Sequence, residues 1–487
     1  MTAATRNPGG ARATQAAAGE RSGMFWVAAM TVLLALVPVQ FDIGNLLMTP
    51  LRLFLLAVVP VIGIKWLTGA YGRLVYSDYA MLFFSVWMSM AVTATHGFSF
   101  MITFAGSNIL LLLGGYLVGR AAIRSAADFM ALAKLLPLTV LLLLPLAIYE
   151  TLFLKPSLIL TWLAEFDSLR SYNGGGVQIR MGLNRAQVVL THAIHFGIYC
   201  SLGMTIFFLS LTNHVSLSLR LIGTALVIFG TFCSLSSGPL LTTVFQLALI
   251  AYAVMFQKLN NQWKLLTRVS AVLYVILELN TTKIAFFTLA EKLAFSGHNA
   301  YTRQIMVKVG TDLMGKYPLF GYGLRRWPLP YWMQYSNSID NYWLVLGGNF
   351  GIPTLASVLS AIFVPMFTLS KNPLTKGSDL YWIRVSWTIL MLGTVLVLAT
   401  VHLWGNLTTV IYMMLGSGMF LFYAKEPDAE AEAAETPEPQ PRGPVYTRFP
   451  ARHHRPAAGA AGAAASASAS AASRSARLRA PPSSQHG

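Results

Sequence analysis

The sequence predicts an all-α fold: a polytopic integral membrane protein with about 12 transmembrane helices and two long loops on one face. Three observations carry this. Hydrophobic residues make up 55% of the 487 residues and charged residues 11%, too little charge to coat a soluble protein of this size. Apolar runs of roughly 20 residues, the length that crosses a bilayer core, recur along the chain. The 35 Lys and Arg exceed the 18 Asp and Glu, and they gather in alternate short connections, as an anionic inner leaflet selects. The net charge of +17 therefore points to membrane lipids as partners and not to nucleic acid.

The apolar runs cover about 24–40, 47–67, 78–95, 101–119, 129–149, 187–210, 218–235, 239–256, 265–281, 342–368, 380–400 and 404–423. The tenth carries Gly347-Gly348, Gly351 and Pro353 and is the least regular. Residues 1–23 form a polar lead with no small-residue cleavage site, and read as a disordered cytoplasmic N-terminus. With that end inside, the inner connections hold Lys65, Arg73, Arg120, Arg220, Lys264, Lys376 and Arg384, among others. The short outer connections 41–46, 96–100, 236–238 and 401–403 hold no Lys or Arg. This one-sided bias predicts a bacterial inner membrane protein whose long loops, about 150–186 and 282–341, face the periplasm. From 424 to 487 the chain turns acidic, then Pro-rich, then Ala/Ser-rich, and reads as a disordered cytoplasmic tail.

Long loops in a compact protein are usually functional. In the second, Ile305, Val309 and Leu313 recur at spacings of four, which predicts an amphipathic helix in the interface plane. The same loop holds Pro318-Leu319-Phe320-Gly321-Tyr322-Gly323, with Arg303 fifteen residues upstream and Arg325-Arg326 directly after. Further on, Asp340-Asn341 is followed after nine residues by Gly351, Ile352, Pro353 and Thr354. In the first loop, Arg170, Arg180 and Arg185 precede Gly197 at the start of an apolar run.

These elements resemble the O-antigen ligase and Wzy-type polysaccharide polymerase superfamily, membrane glycosyltransferases of the GT-C type. The Pro-Leu-Phe-Gly-x-Gly element and the upstream Arg match that family's pattern, and the spacing from Arg180 to Gly197 in the first loop comes within one residue of it. So does the motif at Asp340, except that Asp stands where the ligases favour His. The substitution looks more like the exopolysaccharide polymerase branch. The resemblance implies a periplasmic-face enzyme that polymerises undecaprenyl-diphosphate-linked oligosaccharide repeats by inverting transfer, without a metal or other cofactor. The nearest alternative is a ligase that passes the glycan to a lipid A-core or protein acceptor. A lipid-linked glycan flippase is a second alternative, although its ionisable groups would be expected deep in the bilayer. Chain-length or export proteins are further partners that the resemblance implies.

Physical chemistry assigns roles within this reading. A diphosphate leaving group needs cations at the outer face, and Arg binds phosphate oxygens in pairs without losing its charge. Arg180, Arg185, Arg303, Arg325 and Arg326 are the candidates, with Asn341 beside them as a substrate contact. Arg325 and Arg326 serve equally as headgroup anchors next to Trp327 and Trp332. Asp340 would take the proton of the acceptor hydroxyl, or cap the following helix. Asp42, in the first outer connection, and His298 are alternative bases. Arg52 stands near the outer end of its helix, where it either acts on substrate or snorkels. Ser236-Ser237-Gly238 reads as a tight structural turn. Cys200 and Cys233 lie in apolar runs and act as small hydrophobes, and His192 and His195 lack a carboxylate or thiol close in sequence, so no metal site is expected.

Overall fold

The computed structural model describes residues 21–44, 46–166, 170–172, 176–259, 262–279, 297–333 and 339–426. These belong to one compact unit, and residues 427–487, on which the expected tail falls, lie outside the described residues. The helices are α1 (Phe25–Ala35), α2 (Pro50–Leu67), α3 (Tyr76–His96), α4 (Phe98–Ala122), α5 (Ala126–Leu152), α6 (Leu158–Leu163), α7 (Ala193–Ser210), α8 (Leu217–Cys233), α9 (Ser237–Met255) and α10 (Gln262–Leu279). They continue with α11 (Gly297–Lys316), α12 (Tyr342–Phe350), α13 (Ile352–Ser370), α14 (Asp379–Leu398) and α15 (Asn406–Ser417).

Helix occupies part of every predicted apolar run. Among the described residues, seven helices are long and apolar enough to cross a membrane: α2, α4, α5, α7, α9, α13 and α14. The others fall short for physical reasons. Helix α1 has 11 residues, about 17 Å at the usual rise of ~1.5 Å per residue, because the chain turns extended at Val39. Helix α8 has 17 residues, and α10 carries Lys264, Arg268 and Glu278. The predicted tenth span is not continuous. It breaks at Gly351, whose φ of +91° ends the nine-residue α12 and starts α13. A left-handed backbone of this kind is open to Gly and costly for other residues.

The fold is not wholly helical. Strand β1 (Val39–Ile43) pairs antiparallel with β2 (Leu46–Met48) and with β3 (Arg170–Ser171), so the connection between α1 and α2 is a hairpin tied to the first long loop. Strands β4 (Ile179–Arg180) and β5 (Leu183–Asn184) form a second hairpin. Its turn residues Met181 and Gly182 both have positive φ, as a two-residue hairpin turn requires.

The core is built on close backbone approach. Helices α4 and α15 cross where Gly115 and Gly119 face the Thr409 and Met413 carbonyls, so that a Cβ on Gly119 would stand 2.1 Å from the Met413 oxygen. Small residues four apart permit such approach between apolar helices. At the opposite end from the two hairpins, basic side chains serve helix C-termini. Arg220 donates to the Phe208 carbonyl at 2.7 Å, and Arg384 to those of Leu369 at 2.9 Å and Asn372 at 2.5 Å. These carbonyls lie at helix ends, where no intrahelical donor remains. Arg120, 2% exposed, bonds the Tyr71 carbonyl at 2.6 Å and approaches Asp78 at 3.5 Å. Glu426 accepts from the Thr375 amide at 3.0 Å, so the last described residues are fastened to the turn before α14.

Candidate functional site

Glycine conformation and backbone pairing place the two halves of the second loop. Helix α11 packs on α12 through Gly310 and Gly347, where added Cβ atoms would meet Trp327 at 2.9 Å and the Met314 sulfur at 2.6 Å. The Pro318–Gly323 element then turns back along the break between α12 and α13. The Tyr322 amide donates to the Gly348 carbonyl at 2.7 Å, Gly323 to Asn349 at 3.0 Å, and Ile352 to Pro318 at 2.8 Å. Gly321 has a φ of +72°, and its Cβ would fall 2.3 Å from the Asn349 carbonyl carbon. Trp87 and His96 of α3 secure the same element, through the Leu319 carbonyl at 2.9 Å and the Leu324 amide at 2.7 Å. The motif is thus a backbone clamp. It sets Arg303, on α11, against Asp340, at the start of α12.

The first loop delivers two more arginines by a different route. The turn 234–236 between α8 and α9 accepts from both. Arg180 Nη1 donates to the Leu235 carbonyl at 2.9 Å. Arg185 donates through Nε to the Ser234 carbonyl at 3.3 Å and through Nη2 to Ser236 Oγ at 2.8 Å. Its Nη1 reaches Gln178 Oε1 at 3.0 Å. The expected turn Ser236-Ser237-Gly238 is instead the N-cap and first turn of α9, and it is the preceding turn, 234–236, that supports the arginine pair. Behind the hairpin, the buried Glu150 of α5 accepts the amides of Gln187 at 2.8 Å and Val188 at 3.1 Å. Val188 carries a φ of 55°, an unfavourable conformation for a β-branched residue.

The two loops meet. Burial pushes the Arg303 guanidinium down from its ordinary value, Asp340 opposes the drop, and the charge of Arg180 adds to it. Burial likewise brings Arg185 down to about 10, with Arg180 adding and Asp340 opposing. Arg185 and Arg303 thus each lie within electrostatic reach of both Arg180 and Asp340, although more than a hundred residues separate the two arginines. The Nε of Arg303 is buried without a hydrogen-bond partner.

Two histidines complete the cluster. His192 caps α7, its Nδ1 accepting the Ile194 amide at 3.1 Å. Burial lowers its pKa to about 4, Arg185 adds to the fall and Asp340 opposes it. His402, in the turn between α14 and α15, is brought to about 4 by burial, again against Asp340. Its Nδ1 is buried without a partner. His402 stacks on Trp404 at 5.5 Å, and His195 meets the same indole at 4.0 Å. Both His192 and His402 are neutral near pH 7 and can donate or accept a hydrogen bond. Among the described residues, no group of three or more His, Cys, Asp or Glu has the arrangement of a metal site.

Other expected residues fall elsewhere. Asp340 does not cap α12: Asn341 does, with Oδ1 accepting the Leu344 amide at 3.0 Å. Arg325 and Arg326 are exposed, and Arg325 stands 5.9 Å from the Tyr322 ring centre. They are not among the charges felt by Arg185, His192, Arg303 or His402. Asp42 is exposed in β1, opposite Leu47. The side chains of His298 and Arg170 lie outside the described residues. Sequence reasoning passed over His402, Glu150 and the capping role of Asn341.

The arrangement offers fixed cations for an anion, a carboxylate within their field and neutral imidazoles beside it. Comparison with protein-family models and with curated protein sequences finds no match to this chain.

Proposed function

We propose that the chain is a membrane glycosyltransferase that lengthens glycans carried on a lipid diphosphate, working at the outer face of a bacterial inner membrane and crossing it about twelve times. The observation that carries this is the convergence of Arg185 from one loop and Arg303 from another on Asp340, with the charge of Arg180 beside both arginines. In this reading the diphosphate of the donor lies against the three guanidinium groups, whose remaining N–H groups bind its oxygens. Asp340 takes the proton of the acceptor hydroxyl as that oxygen bonds to the anomeric carbon. The bond from that carbon to the diphosphate breaks on the opposite side, so the configuration inverts. The lipid diphosphate leaves with the electron pair, its charge held by the arginines. Asn341 orders the start of α12 and so fixes Asp340. The motif likeness to the polymerase branch, where Asp replaces His, supports lengthening of a lipid-linked repeat over ligation.

The test is direct. Purified protein in nanodiscs receives a lipid-linked oligosaccharide, and the products are separated by size. Covalent lengthening supports the proposal. Movement of the lipid between leaflets with no bond change would replace it with a flippase, and transfer only to a lipid A-core or protein acceptor would replace it with a ligase.

A further inference from the structure

Helices α2 and α4 leave a groove between them with a volume of about 770 Å³. Its walls are mostly apolar, with Leu56 and Val59 on α2 and Phe104, Ile109, Leu110 and Leu113 on α4, beside the polar Thr103, Ser107 and Asn108. Between Thr103 and Leu113 it spans about 15 Å at ~1.5 Å per residue, the depth of one leaflet of a roughly 30 Å hydrocarbon core. The far end is shut where the helices touch, since a Cβ on Gly114 would lie 3.0 Å from Val59 Cγ2. The side stays open, with Leu56 50% and Ile102 56% exposed.

Arg52 stands at the near end, in the first turn of α2. Its Nη1 donates to the Leu47 carbonyl, and its Nε is buried with no hydrogen-bond partner. Among the described residues no carboxylate pairs with it. The guanidinium keeps its charge at any relevant pH, and the helix N-terminus adds positive potential. This end of α2 belongs to the same end of the bundle as the arginine cluster: Thr49 Oγ1 donates to Asn406 Oδ1 at 3.2 Å, at the start of α15 and close to His402. A permanent cation above a slot one leaflet deep is complementary to a lipid with an anionic head.

Resting on the reading above, we propose that this groove seats the lipid-diphosphate carrier of the acceptor repeat, with Arg52 on its diphosphate. Lengthening requires two lipid diphosphates at once. The donor's bond to its sugar breaks beside Asp340. The acceptor's bond survives, so its diphosphate must be held a glycan's length from the reacting hydroxyl. Arg180, Arg185 and Arg303 serve the first, and Arg52 is a separate cation at the same end of the bundle for the second. No bond forms or breaks in the groove, so Arg52 binds and takes no part in the chemistry.

The experiment counts undecaprenyl diphosphate bound to the purified chain in phosphatidylcholine nanodiscs by native mass spectrometry, and measures elongation in parallel. Arg52→Gln removes the charge. Gly106→Trp fills the groove, which Gly106 lines, at a position where an added Cβ meets nothing within 4 Å. Two lipids should bind the wild type and one Gly106→Trp. Arg52→Gln should bind the second about ten- to a hundredfold more weakly. Both variants should raise KM for the acceptor repeat and leave kcat and the donor KM unchanged. One lipid on the wild type, or an unchanged acceptor KM in variants of an elongating wild type, overturns the proposal. So does displacement by phosphatidylglycerol at equal concentration, which would mark a phospholipid seat. Two lipids bound with no elongation by the wild type would instead bring down the enzymatic reading, and the acceptor role with it.

Discussion

Asn341 Oδ1 accepts the backbone amide of Leu344 at 3.0 Å, so the residue next to Asp340 supplies the cap of α12 and leaves Asp340 to other work. The two adjacent residues are thereby separable by substitution. Asn341→Ala should lower stability by about 1 kcal/mol, the usual cost of a lost cap, read as a shift in thermal midpoint. Asp340→Asn should leave the midpoint in place and cut glycan elongation by about 10²–10⁴, the range for loss of a general base. Asp340→His should retain part of the rate, because imidazole accepts a proton near neutral pH. An Asp340→Asn variant of wild-type activity would remove Asp340 from the mechanism.

Arg303 tests charge against shape. Its guanidinium lies in the field of Asp340 and Arg180. Arg303→Lys keeps the charge but loses the planar fork, and should lower kcat/KM by tenfold to a hundredfold or more, equivalent to about 1.5–3 kcal/mol. Equal activity of the Lys variant would show that a point charge suffices and that paired binding of phosphate oxygens is absent.

The histidines give the fold a pH dependence of definite sign. His192 and His402 titrate at about 4, against 6.5 for a free imidazole. Between those values the unfolded chain binds more protons than the folded one, so stability falls as pH drops from 6.5 towards 4. Thermal midpoints measured across that interval should decline. The double variant His192→Asn, His402→Gln should decline less steeply, with Asn keeping the cap of α7. Parallel curves for the two proteins would place the acid sensitivity elsewhere.

The clamp should tolerate no side chain at Gly351. An alanine Cβ there would fall 1.9 Å from the Leu319 carbonyl oxygen at a φ of +91°. Gly351→Ala should therefore reduce stability severely, by at least the ~1–3 kcal/mol of left-handed strain alone. Gly315→Ala, in a helix and with nothing within 4 Å of the new Cβ, should be neutral or stabilising. Similar midpoints for the two variants would mean that the contact between the Pro318–Gly323 turn and the α12–α13 break is not maintained in solution.

Orientation can be read with cysteines, because Cys200 and Cys233 are buried. Arg326→Cys and Lys376→Cys introduce exposed thiols at opposite ends of the bundle. A membrane-impermeant maleimide added to intact spheroplasts should label the first and spare the second. The reverse pattern would put the arginine cluster on the cytoplasmic side, where the proposed reaction does not belong.

Much of this architecture could be read from the residues. Hydropathy located the apolar helices because apolar length is a local property, and Arg180, Arg303 and Asp340 stood out through the family likeness of the motifs around them. What escaped depends on contact between distant segments. His402 sits in a short connection with no motif around it, and its nearness to Asp340 exists only once α12 packs beside the turn before α15. Glu150 gives no signal because its partners are the backbone amides of Gln187 and Val188. Asp340 and Asn341 are equally good caps on paper, so only geometry assigns the role. The glycines at 347, 348 and 351 marked the tenth segment as irregular, but the sharpness of its break at Gly351 follows from the turn packed against it.

The serine turn at 234–236 has a consequence for how a ligand is met. A free arginine side chain gives up about 1.5–2 kcal/mol of rotamer freedom when it is fixed, and a site that orders its arginines only upon contact loses that amount from its affinity. Arg180 and Arg185 are instead fixed by the carbonyls of Leu235 and Ser234 and the hydroxyl of Ser236. Their disorder is lost when the chain folds, so an arriving anion finds the spacing of its donors already set, and mismatched anions gain nothing from rearrangement.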